Sequence, residues 1–234
     1  MRKTASIFFF LLLACALHAQ APKSVKSTTQ QKPVSKEKLV EIKTDFGTMI
    51  VKLYDSTPLH RDNFVKLVKQ GFYDSLLFHR VIQGFMIQGG DPQSKYADST
   101  AMLGNGEAEG GMIPAEFRPN LYHKKGALAM ARTENPEKAS SNCQFYIVEG
   151  KPYDNTVLNQ VECGVRQFNP DFYYNDATRK MYATLGGTPF LDQNYTVFGE
   201  VIKGLPVIDK IAAVAKDQND RPLKNIRMKM RMLN

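Results

Sequence analysis

The sequence has no tryptophan, three cysteines and four histidines among its 234 residues. Cys143 and Cys163 are the only thiols beyond the first twenty residues, too few for a disulfide-stapled scaffold. Two readings stay open for them: pairing in an oxidising compartment, or the simpler case of one buried and one loop thiol. His18, His60, His79 and His123 lack the close spacing of metal ligands, so no metal is expected. No other cofactor is expected either. Only one apolar run is long, and it lies at the amino end; no other stretch is long enough to cross a bilayer. The net charge is +8, but no helix or ribbon gathers the lysines and arginines into one patch. That argues against a nucleic-acid partner and for general solubility.

Arg2 and Lys3 precede the apolar stretch SIFFFLLLACAL, which is too short for a membrane span. Residues 1–19 therefore read as a secretory signal peptide, with cleavage after Ala19. A competing cleavage is written in Leu12-Leu13-Ala14-Cys15, which resembles a bacterial lipobox and would make Cys15 a lipid anchor. Either route leads to a periplasmic protein; the second makes it a lipoprotein. Residues 20–37, QAPKSVKSTTQQKPVSKE, hold almost nothing apolar and read as a disordered linker.

From residue 38 onward the pattern is mainly β. LVEIKTDFGTMIVKLY alternates apolar and polar residues around a turn at Asp45-Phe46-Gly47. Thr57 and Pro58 then open an amphipathic helix over 58–70, with Thr57 as its N-cap. Strands are expected at 77–82, 85–89, 126–132, 143–148 and 195–201, a second helix at 204–215 and a last alternating strand at 226–233. Many strands, two distant helices and no βαβ rhythm indicate an antiparallel barrel or sandwich. Residues 151–188 are polar and aromatic, contain a helical stretch at 175–185 and read as an insertion.

FHRVIQGFMIQGGDP (78–92) resembles the signature of the cyclophilin-type peptidyl-prolyl isomerases. DNFVKLVKQGFYD, ALAMART, SSNCQFYIV and FLDQNYTVFGEVIKGLPVIDKI follow the family's order, so the resemblance spans about 38–234 apart from the insertion. It implies an all-β fold: a closed eight-stranded antiparallel barrel capped by two α-helices, here with a partly helical insertion. It implies a peptidyl-prolyl cis/trans isomerase that assists folding of exported proteins. Its partners would be proline-containing unfolded polypeptides, and it would act as a monomer.

The resemblance places Arg80 at the catalytic position. Phe85, Met86, Tyr146 and Leu191 match the apolar pocket for the proline ring, and Gln88 matches the residue that steadies the arginine. Ala131, Arg132 and Gln144 match positions that bind the peptide backbone. Phe190 stands where familiar members have tryptophan, Tyr195 where they have histidine, and Arg132 where they have asparagine. Strand parity is consistent with one shared surface, since Arg80, Met86 and Gln88 are separated by even numbers, as are Gln144 and Tyr146. Phe85 breaks that parity after Gly84, where a bulge or kink can redirect it. His79 has the opposite parity to Arg80 and reads as structural. Gly104, Gly106, Gly110 and Gly111 lack the lysine and following helix of a phosphate loop and read as a tight turn beside the groove.

Two other classes compete with an enzyme. One is a chaperone or peptide-binding module with little turnover, suggested by the substituted pocket positions and the aromatic insertion. The other is an anchored scaffold whose basic linker binds an anionic partner. Mass spectrometry of the mature amino terminus tests the leader assignment. Signal cleavage predicts Gln20 as the first residue, lipidation predicts an acylated Cys15, and an intact Met1 contradicts both.

Overall fold

The computed structural model describes residues 38–233. The signal peptide, linker and Cys15 lie outside the described residues. Strand β1 (Lys38–Thr44) and β2 (Gly47–Leu53) form the expected hairpin. Their alternation sends Val40, Ile42, Met49 and Val51 to the core. Helix α1 (Pro58–Lys69) follows, with Pro58 in its first turn. Thr57 takes the cap position but makes no side-chain cap bond. The Glu116 carboxylate, more than fifty residues away in sequence, accepts the Leu59 and His60 amides at 3.2 and 3.0 Å instead. A negative charge on these free N–H groups satisfies the helix start as a local cap would.

Strands β3 (Phe78–Ile82), β4 (Met86–Gly89), β5 (Ala127–Met130), β6 (Phe145–Val148), β7 (Val197–Lys203) and β8 (Lys229–Met232) complete one antiparallel sheet. The strand order is β3-β4-β6-β5-β7-β2-β1-β8. This corrects the expected closed barrel: the sheet is curled but open, with β3 and β8 as its edges. Other partners occupy the edge amides that a closing ladder would need. Val81 N–H donates to the Asp220 carbonyl at 2.8 Å, and Met230 N–H donates to the Asp74 carboxylate at 3.2 Å. The two edges meet where β3 begins and the chain approaches β8. There Leu77 bridges Arg227, and Phe78 N–H reaches the Ile226 carbonyl at 2.9 Å.

Two helices cover the inner face. α1 contributes Phe64, Val65, Leu67 and Val68 to the core; a later helix over Leu205–Ala212 contributes Val207, Ile208, Ile211 and Ala212. Phe64 lies at the centre, with its ring 5.0–5.6 Å from those of Tyr73, Phe198 and Phe145. Cys143 is buried and Cys163 exposed; both are free thiols.

The insertion carries two helices rather than the one expected. α3 (Asp176–Thr184) is capped by Asn175, whose side chain accepts the Thr178 amide. α2 (Asn155–Arg166), capped by Asp154, is the unexpected one, and the Leu205–Ala212 helix is accordingly α4. Valines, asparagines and Gly164 give α2 little intrinsic helix preference. Packing stabilises it: Leu158 and Val165 bury against Phe172, Tyr174 and Tyr182 in a separate small core. The two ends of the insertion come together where Gly150 meets Gly187; a Cβ on Gly150 would lie 2.4 Å from the Gly187 backbone, and one on Gly187 would lie 2.3 Å from the His123 carbonyl oxygen, so both positions need glycine.

Replacing Phe64 with alanine removes a ring shared by helix and sheet. The expected loss is about 3–5 kcal/mol of unfolding free energy, measured by denaturant titration. A loss below about 1 kcal/mol contradicts this placement of the core.

Candidate active site

The pleat separates two sets of side chains. Val81, Ile87, Leu128, Phe145 and Ile147 enter the main core. The alternate set forms one rung across five strands. Arg80 on β3 faces Gln88 on β4, which faces Tyr146 on β6; Tyr146 faces Ala129 on β5, which faces Val197 on β7. Met86, Ala129, Tyr146 and Val197 make a second apolar cluster on this side.

Above that cluster lies a hollow of about 120 Å³, lined by Arg80, Phe85, Met86, Gln88, Ala131, Arg132, Tyr146, Leu191 and Tyr195. Phe85 reaches it because it belongs to the β3–β4 turn, not to β4. Gly84 turns the chain at φ +76° and donates its amide to Glu149, while the Phe85 carbonyl accepts the Glu149 and Gly150 amides. Leu191 comes from a tight turn over Pro189–Leu191, closed by its amide on the Thr188 carbonyl. Two of the expected site residues do not line the hollow. Phe190 points outward, 49% exposed, with its ring 5.7 Å from Phe85. Gln144 is buried and turned toward the glycine-rich loop.

Arg80 is held, but not consumed. Its side chain is 41% exposed, and its Nε lies 3.9 Å from Asp220, a loose ion pair. Asp220 has a closer partner in Lys216. Arg80 Nη1 donates to Gln88 Oε1 at 3.4 Å. Gln88 Nε2 donates to Gln144 Oε1 at 3.2 Å, and Gln144 Nε2 donates to the carbonyls of Gly104 and Gly106 at 3.0 and 2.8 Å. A chain of amides thus runs from the loop to the guanidinium. Arg132 is fixed by its Nε and Nη2 on Asn194, both at 3.1 Å, and its guanidinium lies 4.7 Å above the Tyr195 ring. It forms a rim and does not fill the hollow. Beyond Arg80 a larger space of about 480 Å³ opens, lined by Gln88, Gly104, Arg132, Asp217, Asp220 and Arg221 among others.

His79 lines that space from beneath and is buried. Burial depresses its pKa from 6.5 to about 4; Asp91 opposes the shift, and Arg80 and Arg221 add to it. His60, buried against Glu116 and Ser140, is shifted the same way, burial outweighing the carboxylate. Among the described residues no three His, Cys, Asp or Glu side chains are grouped to hold a metal.

The description of the family model that matches residues 39–231 is cyclophilin type peptidyl-prolyl cis-trans isomerase/CLD. A Staphylococcus haemolyticus protein with the provisional name peptidyl-prolyl cis-trans isomerase is 35% identical over 188 residues, covering 80% of this chain and 86% of its own. A Staphylococcus aureus protein of the same provisional name is also 35% identical, with 87% of its length covered. In fold, the chain is similar to a Cryptosporidium parvum cyclophilin type peptidyl-prolyl cis-trans isomerase. The TM-score is 0.63 at 23% identity, over 85% of this chain and 98% of that one. The same protein, crystallised in the presence of the dipeptide Ala-Pro, superposes with a TM-score of 0.61. The chain belongs to the cyclophilin-type peptidyl-prolyl cis-trans isomerase family.

Sequence reasoning missed the residues behind the hollow. Tyr146 Oη lies 3.0 Å from His123 Nε2, and His123 Nδ1 lies 2.8 Å from Asp192. The only sequence cue was that Asp192 directly follows Leu191. The histidines also set a pH dependence. In the folded state His79 resists protonation down to about pH 4, while the unfolded chain protonates near 6.5. The unfolded state therefore binds more protons between these values, and stability falls as pH drops through that window. His79 accounts for roughly 3 kcal/mol of that fall, with His60 acting in the same direction. Denaturant titrations from pH 7 to pH 4 should show a flatter decline for His79→Asn; an unchanged slope contradicts the assignment.

Proposed function

We propose that the chain isomerises peptide bonds preceding proline in exported polypeptides, with the proline ring in the 120 Å³ hollow and Arg80 beside the turning amide. The barrier to rotation is about 18–20 kcal/mol, because resonance must be broken. In the twisted state the nitrogen regains a lone pair that can accept a hydrogen bond, and the carbonyl loses part of its dipole. A catalyst then needs neither nucleophile nor metal. It needs a grip on the proline and a donor that fits the twisted state better than the planar one.

The observation that carries this reading is the placement of Arg80. Its guanidinium borders an apolar hollow, keeps a fixed direction through Gln88, and retains donors that its loose contact with Asp220 does not use. The planar fork allows one edge to be held while another faces substrate. Phe85, Met86, Tyr146 and Leu191 supply apolar walls, which strengthen that bond by excluding water. Along the groove, Ala131 has its amide and carbonyl engaged by Gln144 and Ser141. No hydrogen bond involves the Arg132 backbone among the described residues, so its amide and carbonyl are available to an extended peptide. Gln144 contributes by holding Gln88. Phe190 extends the apolar edge beside Phe85 and would meet a residue flanking the proline.

Export is supported by the signal-like residues 1–19, and tethering by Cys15 follows if the lipobox-like stretch is processed. A periplasmic location and monomeric action on unfolded clients complete the proposal. The test is an isomerisation assay on a proline tetrapeptide. Losing a charge-assisted hydrogen bond worth about 1.5–3 kcal/mol predicts that Arg80→Ala lowers kcat/KM by about 10- to 100-fold. Arg80→Lys should keep part of the rate, since it retains the charge without the fork. An alanine variant as fast as the wild type overturns the role of Arg80.

A further inference from the structure

Within the reading just proposed, we infer that the 151–188 insertion is a positioning element for the proline hollow, acting through Tyr174, Tyr182, Asp192 and His123 on Tyr146. Asp192 is fully buried, and a buried carboxylate is costly unless its oxygens are bonded. Oδ1 accepts the His123 amide and faces His123 Nδ1, both at 2.8 Å. Oδ2 accepts the hydroxyls of Tyr174 at 2.7 Å and Tyr182 at 2.6 Å. Two of these four donors therefore come from the insertion, one from the loop before α3 and one from α3 itself.

The consequences converge on two walls of the hollow. Asp192 follows Leu191 directly, so fixing its carboxylate fixes the turn that presents Leu191. On the other side, a carboxylate only accepts, so His123 carries its proton on Nδ1. In the neutral ring Nε2 is then an acceptor, and Tyr146 donates its hydroxyl to it across 3.0 Å. The two rings stack with an interplanar angle of 13°. Tyr146 thus shows the hollow its ring, while its hydroxyl is drawn away toward His123. Burial and the nearby Asp192 charge push the Tyr146, Tyr174 and Tyr182 hydroxyls well above their usual pKa, so they stay donors at neutral pH.

Without the two insertion hydroxyls, Oδ2 has no partner in a dry site, and the carboxylate must rotate or take up a proton. His123 and Tyr146 then lose their fixed orientation. The test uses the full chain labelled with ¹³Cζ-tyrosine and carrying Tyr174→Phe and Tyr182→Phe, singly and together, with the exposed Tyr173→Phe as control. The double variant should shift the Tyr146 Cζ resonance and raise KM for an Ala-Pro tetrapeptide about fivefold, with kcat within about twofold. The single variants should fall between, and the control should match wild type. Near-UV circular dichroism checks that the variants stay folded. An unmoved Tyr146 resonance overturns the inference, as does a moved resonance with unchanged KM. A parallel loss of kcat and folded protein also overturns it, because that marks general destabilisation. If the wild type shows no turnover, the isomerase reading fails, while the Tyr146 resonance still decides whether the relay exists.

Discussion

The site depends on an arginine that is oriented but incompletely paired. A guanidinium beside an apolar hollow loses water and must recover hydrogen bonds elsewhere. Arg80 recovers one at Gln88 and leans on Asp220 from 3.9 Å. A tight ion pair would immobilise the head group and occupy its donors. An arginine with no partner would move away into solvent. The observed arrangement lies between these, and in the function proposed above the twisted amide of a substrate is the missing partner.

That intermediate state is built by the sheet and by two loops. The rung from Arg80 to Val197 exists because successive residues of each strand face opposite sides, so polar and apolar site residues share one surface while their neighbours form the core. The glycine-rich loop adds direction, since its carbonyls hold Gln144, which holds Gln88. The loop around residue 220 adds charge. The Asp220 carbonyl also accepts the Val81 amide, so one residue contacts both the Arg80 side chain and the β3 edge.

Much of this was legible in the sequence because it depends on short-range periodicity. The alternation around Arg80, Met86 and Gln88 follows from local spacing, as do the helices expected at 58–70 and 204–215 and found at Pro58–Lys69 and Leu205–Ala212, the second ending three residues early. What was not legible depends on groups distant in sequence. Glu116 replaces Thr57 at the start of α1 because tertiary packing brings a carboxylate there. Helix α2 forms on packing against Phe172, Tyr174 and Tyr182 despite weak propensity. Barrel closure fails at edge amides already taken by Asp220 and Asp74. Phe190 lies on a turn beside Phe85 and Gln144 is bonded to the glycine-rich loop, so both stand outside the lining of the hollow. The convergence of Tyr174, Tyr182 and His123 on Asp192 has no periodic trace at all.

The central claim is that Arg80 serves the twisted amide and not the resting peptide. Exchange NMR on an Ala-Pro tetrapeptide at matched occupancy separates the two. With Arg80→Ala, the account predicts peptide affinity within about threefold of wild type and a cis–trans interconversion rate on the enzyme lowered by about 10- to 100-fold. Interconversion at the wild-type rate, or a loss of rate that affinity alone explains, would contradict it.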